Sequence, residues 1–257
     1  MQTAGVWHNP TLLGIKLLGV ILLWLFAEIA CGIDQRVPLG RLCAFAVVRM
    51  ISTWVKPNMV LCIYPALAAI LLIWLAKRGR KAFWRLAACE VTVLPSMAVL
   101  LWQYPLTYGE SAAQDSGVGI LFGYGMRLFN EDPVASVVQS IAFPLAVLLV
   151  GWKSFRRADQ YCLAWIATGA GYLQYLFLVE TGPRMDHGNW SWGVAVMAFL
   201  LFLVSLEELL RQMRRQWETG WAGKAWVGIC WGLLAWHVVC GGMFLLQYLV
   251  QGTYFAR

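Results

Sequence analysis

Long apolar runs alternate with short, mostly basic connections along this chain, and each run approaches the roughly 20 residues a helix needs to cross a bilayer. The pattern predicts spans at about 12–31, 59–76, 83–104, 134–152, 161–179, 191–210 and 225–250. Pro95 and Pro144 fall inside two of them, where a missing N–H bends a helix. Thr168-Gly-Ala-Gly171 and Gly241-Gly242 are small-residue clusters that let helices approach closely.

Two stretches do not fit the spanning pattern. Residues 37–55 carry Arg41 and Arg49, with Lys56 just after them, on one side of a helical wheel, and Leu39, Leu42, Cys43, Ala46, Met50 and Trp54 on another. That alternation predicts an amphipathic helix lying on the membrane surface. The connection 105–133 is polar at both ends, but its middle, 117–129, is apolar and glycine-rich. It is too short to cross, so it reads as an interfacial or re-entrant segment.

Composition agrees: 60% of the 257 residues are hydrophobic and only 13% charged, which places the chain among membrane proteins. The expected fold is all-α, one polytopic domain of about seven transmembrane helices plus the surface helix. The first span lacks a basic leader and a small-residue cleavage site, so it is expected to act as its own insertion signal. The net charge of +7 sits beside the spans, which argues against nucleic acid as a partner. The seven cysteines show no C-x-x-C spacing and most lie in apolar runs. Neither disulfides nor a metal site is expected.

Charge also orients the chain. With seven spans, the connections after spans two, four and six hold twelve Lys and Arg, against seven on the other side. This predicts a plasma-membrane protein with its N-terminus inside and its C-terminus outside. Four of the seven outer cations lie between Arg36 and Lys56, the weak point of that count.

The densest polar segment, Glu180 to Gly193, then faces outward. It gathers Glu180, Arg184, Asp186, His187 and Asn189 around turn-forming Gly182, Pro183 and Gly188. Glu180 and Arg184 are expected to pair across a turn. His187, with Asp186 and Glu180, has the groups for acid–base chemistry. Arg184, with Arg127 from the neighbouring connection, suits a phosphate or carboxylate clamp. Asn189 suits hydroxyls, and Trp190 and Trp192 suit the membrane boundary or a sugar ring. A turn that caps two helices and locks itself with a salt bridge is the simpler account.

Deeper in the spans, Glu90 and His237 are the ionisable candidates, and with Gln139 they would outline an intramembrane polar path. A hydrogen bond inside the bundle is the simpler account for Glu90 and for His237. Glu207-Glu208-Leu-Leu-Arg211 reads as a solvated, charged helix end. No phosphate-cradling glycine loop is present and no cofactor is expected. Together these point to a membrane-embedded enzyme, a transferase or polymerase-like component acting on a lipid-linked or cell-envelope substrate. The alternatives are a small permease subunit and a non-catalytic scaffold for other membrane subunits.

Overall fold

The computed structural model describes residues 10–32, 37–79, 83–108, 117–129, 131–155, 157 and 159–251. Glu110, Asp115 and Arg36 lie outside them. Among the described residues the chain is all-α apart from two three-residue strands. Five helices are long and apolar enough to cross a membrane, starting at Thr11, Asn58, Pro133, Gly182 and Trp221.

Helix α1 (Pro10–Gly32) is followed by α2 (Leu39–Val55) and, after only Lys56 and Pro57, by α3 (Asn58–Arg78). The expected span 83–104 is broken into α4 (Phe83–Val91) and α5 (Leu94–Tyr108). Pro95 cannot donate to the carbonyl four residues back, so α4 ends in tight turns, Thr92 N–H to Cys89 and Val93 N–H to Glu90. Then come β1 (Val118–Ile120), α6 (Tyr124–Phe129), α7 (Pro133–Val150), α8 (Trp152–Phe155), α9 (Gln160–Phe177) and β2 (Leu178–Glu180). A 3-10 helix, Gly182–His187, leads into α10 (Ser191–Glu218) and α11 (Trp221–Gln251). Asp132 caps α7 by accepting from Ala135 N, and Asp159 caps α9 by accepting from Tyr161 N, each at 3.0 Å.

The core is a bundle of α1, α3, α9 and α10, filled by Ile15, Phe26, Ile63, Trp74, Leu163 and Leu201. Phe26 and Trp74 stack with ring centroids 5.7 Å apart. Helix α9 is enclosed by α3 and α10, which explains why it is less apolar than the outer helices: its neighbours are protein. A Cβ on Gly193 would come within 2.8 Å of Cys62 Sγ, and one on Gly171 within 3.2 Å. Those two glycines therefore let α9 and α10 close on α3, as small residues do in membranes. Gly241 and Gly242 have nothing near them and make no such contact. Helix α11 rests on α10 and α7 through Val227 and Cys230 while most of its apolar surface is exposed.

Helix α2 differs from the expected surface helix. It packs against α1 and α5, with Arg49 completely buried together with Ser52 and Thr53. Phe45 is buried beside them, and another apolar stripe points away, with Leu39 74% and Trp54 61% exposed. Arg41 stays exposed, so the helix carries one buried and one exposed cation on its wheel.

Candidate functional site

At one end of the bundle the chain builds a small cap. Strands β1 and β2 pair antiparallel, with Val118 opposite Glu180 and Ile120 opposite Leu178. The stretch 117–129 thus folds over the end of α9, as β1 and then α6, and does not enter the bundle. Its alternating Gly-Val-Gly-Ile carried the strand signal, but without a visible partner strand it passes for loop. Gly125 brings α6 against Tyr175, whose ring would lie 3.0 Å from an added Cβ.

The segment expected to carry chemistry is divided by this cap. Glu180 ends β2 and is only 7% exposed. Its carboxylate accepts a hydrogen bond from Asn189 Nδ2 at 2.5 Å. The Asn189 carbonyl in turn accepts from Asn58 Nδ2 at 2.9 Å, so the start of α3 is tied to the same turn. Glu180, Arg184, Asn189, Trp190 and Tyr175 line one cavity of about 10 Å³, room for a single water. Trp190 Nε1 is buried there with no hydrogen-bond partner among the described residues. This inner set is too tight for a substrate.

Asp186 and His187 lie on the exposed side of the 3-10 helix, away from that cavity. The Tyr124 hydroxyl donates to Asp186 Oδ1, latching α6 to the 3-10 helix. This hydrogen bond, more than burial or the carboxylate's charge, raises the Tyr124 pKa above the ordinary phenol value. Outside the latch, Leu121, Phe122, Tyr124, Arg127 and Leu128 line an open depression of about 260 Å³. Phe122 packs edge-on against Phe177, with centroids 5.4 Å apart. Arg127 therefore belongs to this outer depression and Arg184 to the inner cavity; they do not line a common site. Trp192 carries the Lys56 ammonium 4.6 Å above its ring, joining the α2–α3 turn to the start of α10. Tyr124 and Asn58 were not singled out in the sequence; a lone polar residue in a loop carries no signal of its partner.

The intramembrane candidates do not form one path. Glu90 is on α4 beside α3, His237 on α11 beside α10 and α7, and Gln139 is exposed on α7. No Ser, Thr or Trp hydrogen-bonds the Glu90 carboxylate among the described residues. His237 packs edge-on against Phe202 at 4.8 Å, and its buried Nε2 has no hydrogen-bond partner among the described residues, where the expected interior hydrogen bond at that nitrogen is absent.

Glu208 also departs from expectation. It is 2% exposed rather than solvated. It accepts from Arg157 Nη2 at 2.7 Å, from Ser154 Oγ and from Gln212 Nε2. Glu207 behaves as expected and pairs with Arg211 one turn on. Among the described residues no group of histidines, cysteines and carboxylates is placed to hold a metal. No protein-family model, no curated protein and no solved structure matches this chain.

Proposed function

We propose that this chain is a plasma-membrane protein that binds an amphiphilic anion, a lipid-linked phosphate or sugar phosphate, on an extracytoplasmic cap and acts on it as a transferase. The observation that carries the reading is the 260 Å³ depression, apolar along Leu121, Phe122 and Leu128 and cationic at Arg127. A chain of that amphiphile lies along the rings while its phosphate meets the guanidinium, whose planar fork suits two phosphate oxygens. Tyr124, held by Asp186, offers the depression a fixed polar wall. His187, next to Asp186 and exposed, is the nearest imidazole along the chain for moving a proton.

We orient the chain from α2. Its outward apolar face suits lipid, so we take α2 as a crossing, and α4–α5 and α9 as crossings too, giving eight rather than seven. The connections at 33–38, 79–82, 151–159 and 219–220 then share one side with nearly all the Lys and Arg, now including Arg36 and Arg41. Only Lys16, Lys56, Arg127, Arg184 and Arg257 fall opposite, a stronger asymmetry than a seven-span arrangement gives. The cap is outward in both arrangements, but with eight crossings the N-terminus joins it outside.

Binding of a long-chain polyprenyl phosphate to purified protein in detergent tests the function. Arg127→Gln and Phe122→Ala should each weaken it about tenfold, a typical loss for a charged hydrogen bond or a buried ring. Gln139→Ala and His237→Ala should leave it unchanged. Should the deep pair matter and the cap pair not, the permease reading replaces this one. Tolerance of all four leaves the scaffold.

A further inference from the structure

Arg49 is the one arginine of α2 that turns wholly into the protein, with none of its surface exposed. Its guanidinium sits between the rings of Phe45 and Tyr64, 5.3 Å from each centroid. Nη1 donates to Thr92 Oγ1 at 3.1 Å, and that hydroxyl donates onward to the Cys89 carbonyl at 2.6 Å. Tyr64 donates to Ser96 Oγ at 2.9 Å, so the aromatic wall is itself fixed to α5. The remaining nitrogens, Nε and Nη2, are buried and have no hydrogen-bond partner among the described residues.

Those two N–H groups form one edge of the planar fork, the edge whose spacing matches two oxygens of a carboxylate or phosphate. A buried cation with that edge unfilled is costly, and structures keep one where something else completes it. Glu90 acts on Arg49 through space but makes no ion pair with it among the described residues. It balances charge without occupying the edge. The site also lies where α4 stops and α5 begins, at Thr92, and broken membrane helices commonly surround solute and ion sites.

We propose that the Nε–Nη2 edge of Arg49 is an oxyanion site inside the membrane bundle. It takes a carboxylate or phosphate group, with Thr92 and the Phe45 and Tyr64 rings fixing the guanidinium and Glu90 as the charge the ligand competes with. The site is separate from the outward cap, and either can fail without the other.

The test is thermal unfolding of the purified protein in chloride buffer with added inorganic phosphate or acetate, and separately with phosphatidic acid or phosphatidylcholine in the micelle. Stabilisation by the soluble anions identifies a free solute, and stabilisation by phosphatidic acid alone identifies a lipid headgroup. Either supports the site. Arg49→Lys, which keeps the charge but loses the fork, should bind about tenfold more weakly. Glu90→Gln should bind more tightly, because the competing negative charge is gone. Arg49→Met should not respond. If it does not fold, Arg49→Lys and Thr92→Val carry the comparison. No stabilisation by any of these anions, or Arg49→Lys binding as wild type does, overturns the proposal.

Discussion

The Asn189 side chain donates to the buried Glu180 carboxylate at 2.5 Å, closing the turn between β2 and α10. The pairing turns the most polar segment of the chain inward on itself. Asn189→Ala leaves the carboxylate buried with one donor fewer, which typically costs about 1–3 kcal/mol. Thermal unfolding in detergent should show that loss, and Glu180→Gln should cost less because no charge stays buried. A stable Asn189→Ala protein would mean water replaces the amide.

Whether Glu180 also couples to Arg184 is decided by a double-mutant cycle of Glu180→Gln and Arg184→Gln, scored as folded yield. Both line the small cavity, so the single losses should exceed what independent residues give and the double mutant should recover part of them. Coupling at this half-enclosed position should fall between an exposed pair, about 0–1 kcal/mol, and a buried one, about 3–5 kcal/mol. Strictly additive losses would separate the two side chains.

Gly188 has φ +60°, and a Cβ there would sit 2.2 Å from the Phe129 ring. Gly188→Ala should therefore loosen the cap twice over, by backbone strain of about 1–2 kcal/mol and by the clash. Adding Phe129→Ala should relieve only the clash. Protease cutting between 117 and 129 reads both, and an uncut Gly188→Ala protein would contradict the packing.

The Tyr124 latch has a pH limit. A phenol whose pKa is raised in the folded state stabilises fully below the unfolded value and loses that contribution as pH rises through the folded one. The hydrogen bond should hold at neutral pH and fail only above the ordinary tyrosine range. A Tyr124→Phe difference titration isolates its phenolate absorbance. Asp186→Asn should bring that ionisation down, and an unchanged midpoint would remove the latch.

Cysteine labelling from either side of the membrane tests the orientation. Gly79→Cys and Arg214→Cys should react from the cytoplasm, and Asp186→Cys from outside. A reporter at the N-terminus is the discriminating one, since it should also lie outside. An inward N-terminus with the others as stated would return α2 to the membrane surface.

The apolar runs made the class and most helix positions legible, because spanning length is a strong and local signal. What they hid depends on neighbours. Arg41, Arg49 and Lys56 look alike on a helical wheel, yet Arg41 pairs with Glu28 at 3.0 Å, Arg49 is buried and Lys56 covers Trp192. The wheel gives no account of which neighbouring helix each side meets, and that is what separates the three cations. The polar segment at 180–193 was recognised, but its split between Glu180 with Asn189 and Asp186 with Tyr124 depends on β1 and α6, more than fifty residues earlier in the chain.

Lys56 and Pro57 are all that separate α2 from α3. So short a turn leaves no slack for one helix to enter the bilayer and wait for the other. A charged helix such as α2, with Arg49 at its middle, partitions poorly alone, whereas the strongly apolar α3 partitions well. If α2 is the crossing proposed above, the two are delivered from the insertion machinery as a hairpin, α3 carrying its reluctant partner. Lengthening the turn would uncouple them during synthesis and leave a fraction of chains with α2 stranded outside, even though the finished fold could accommodate the extra residues.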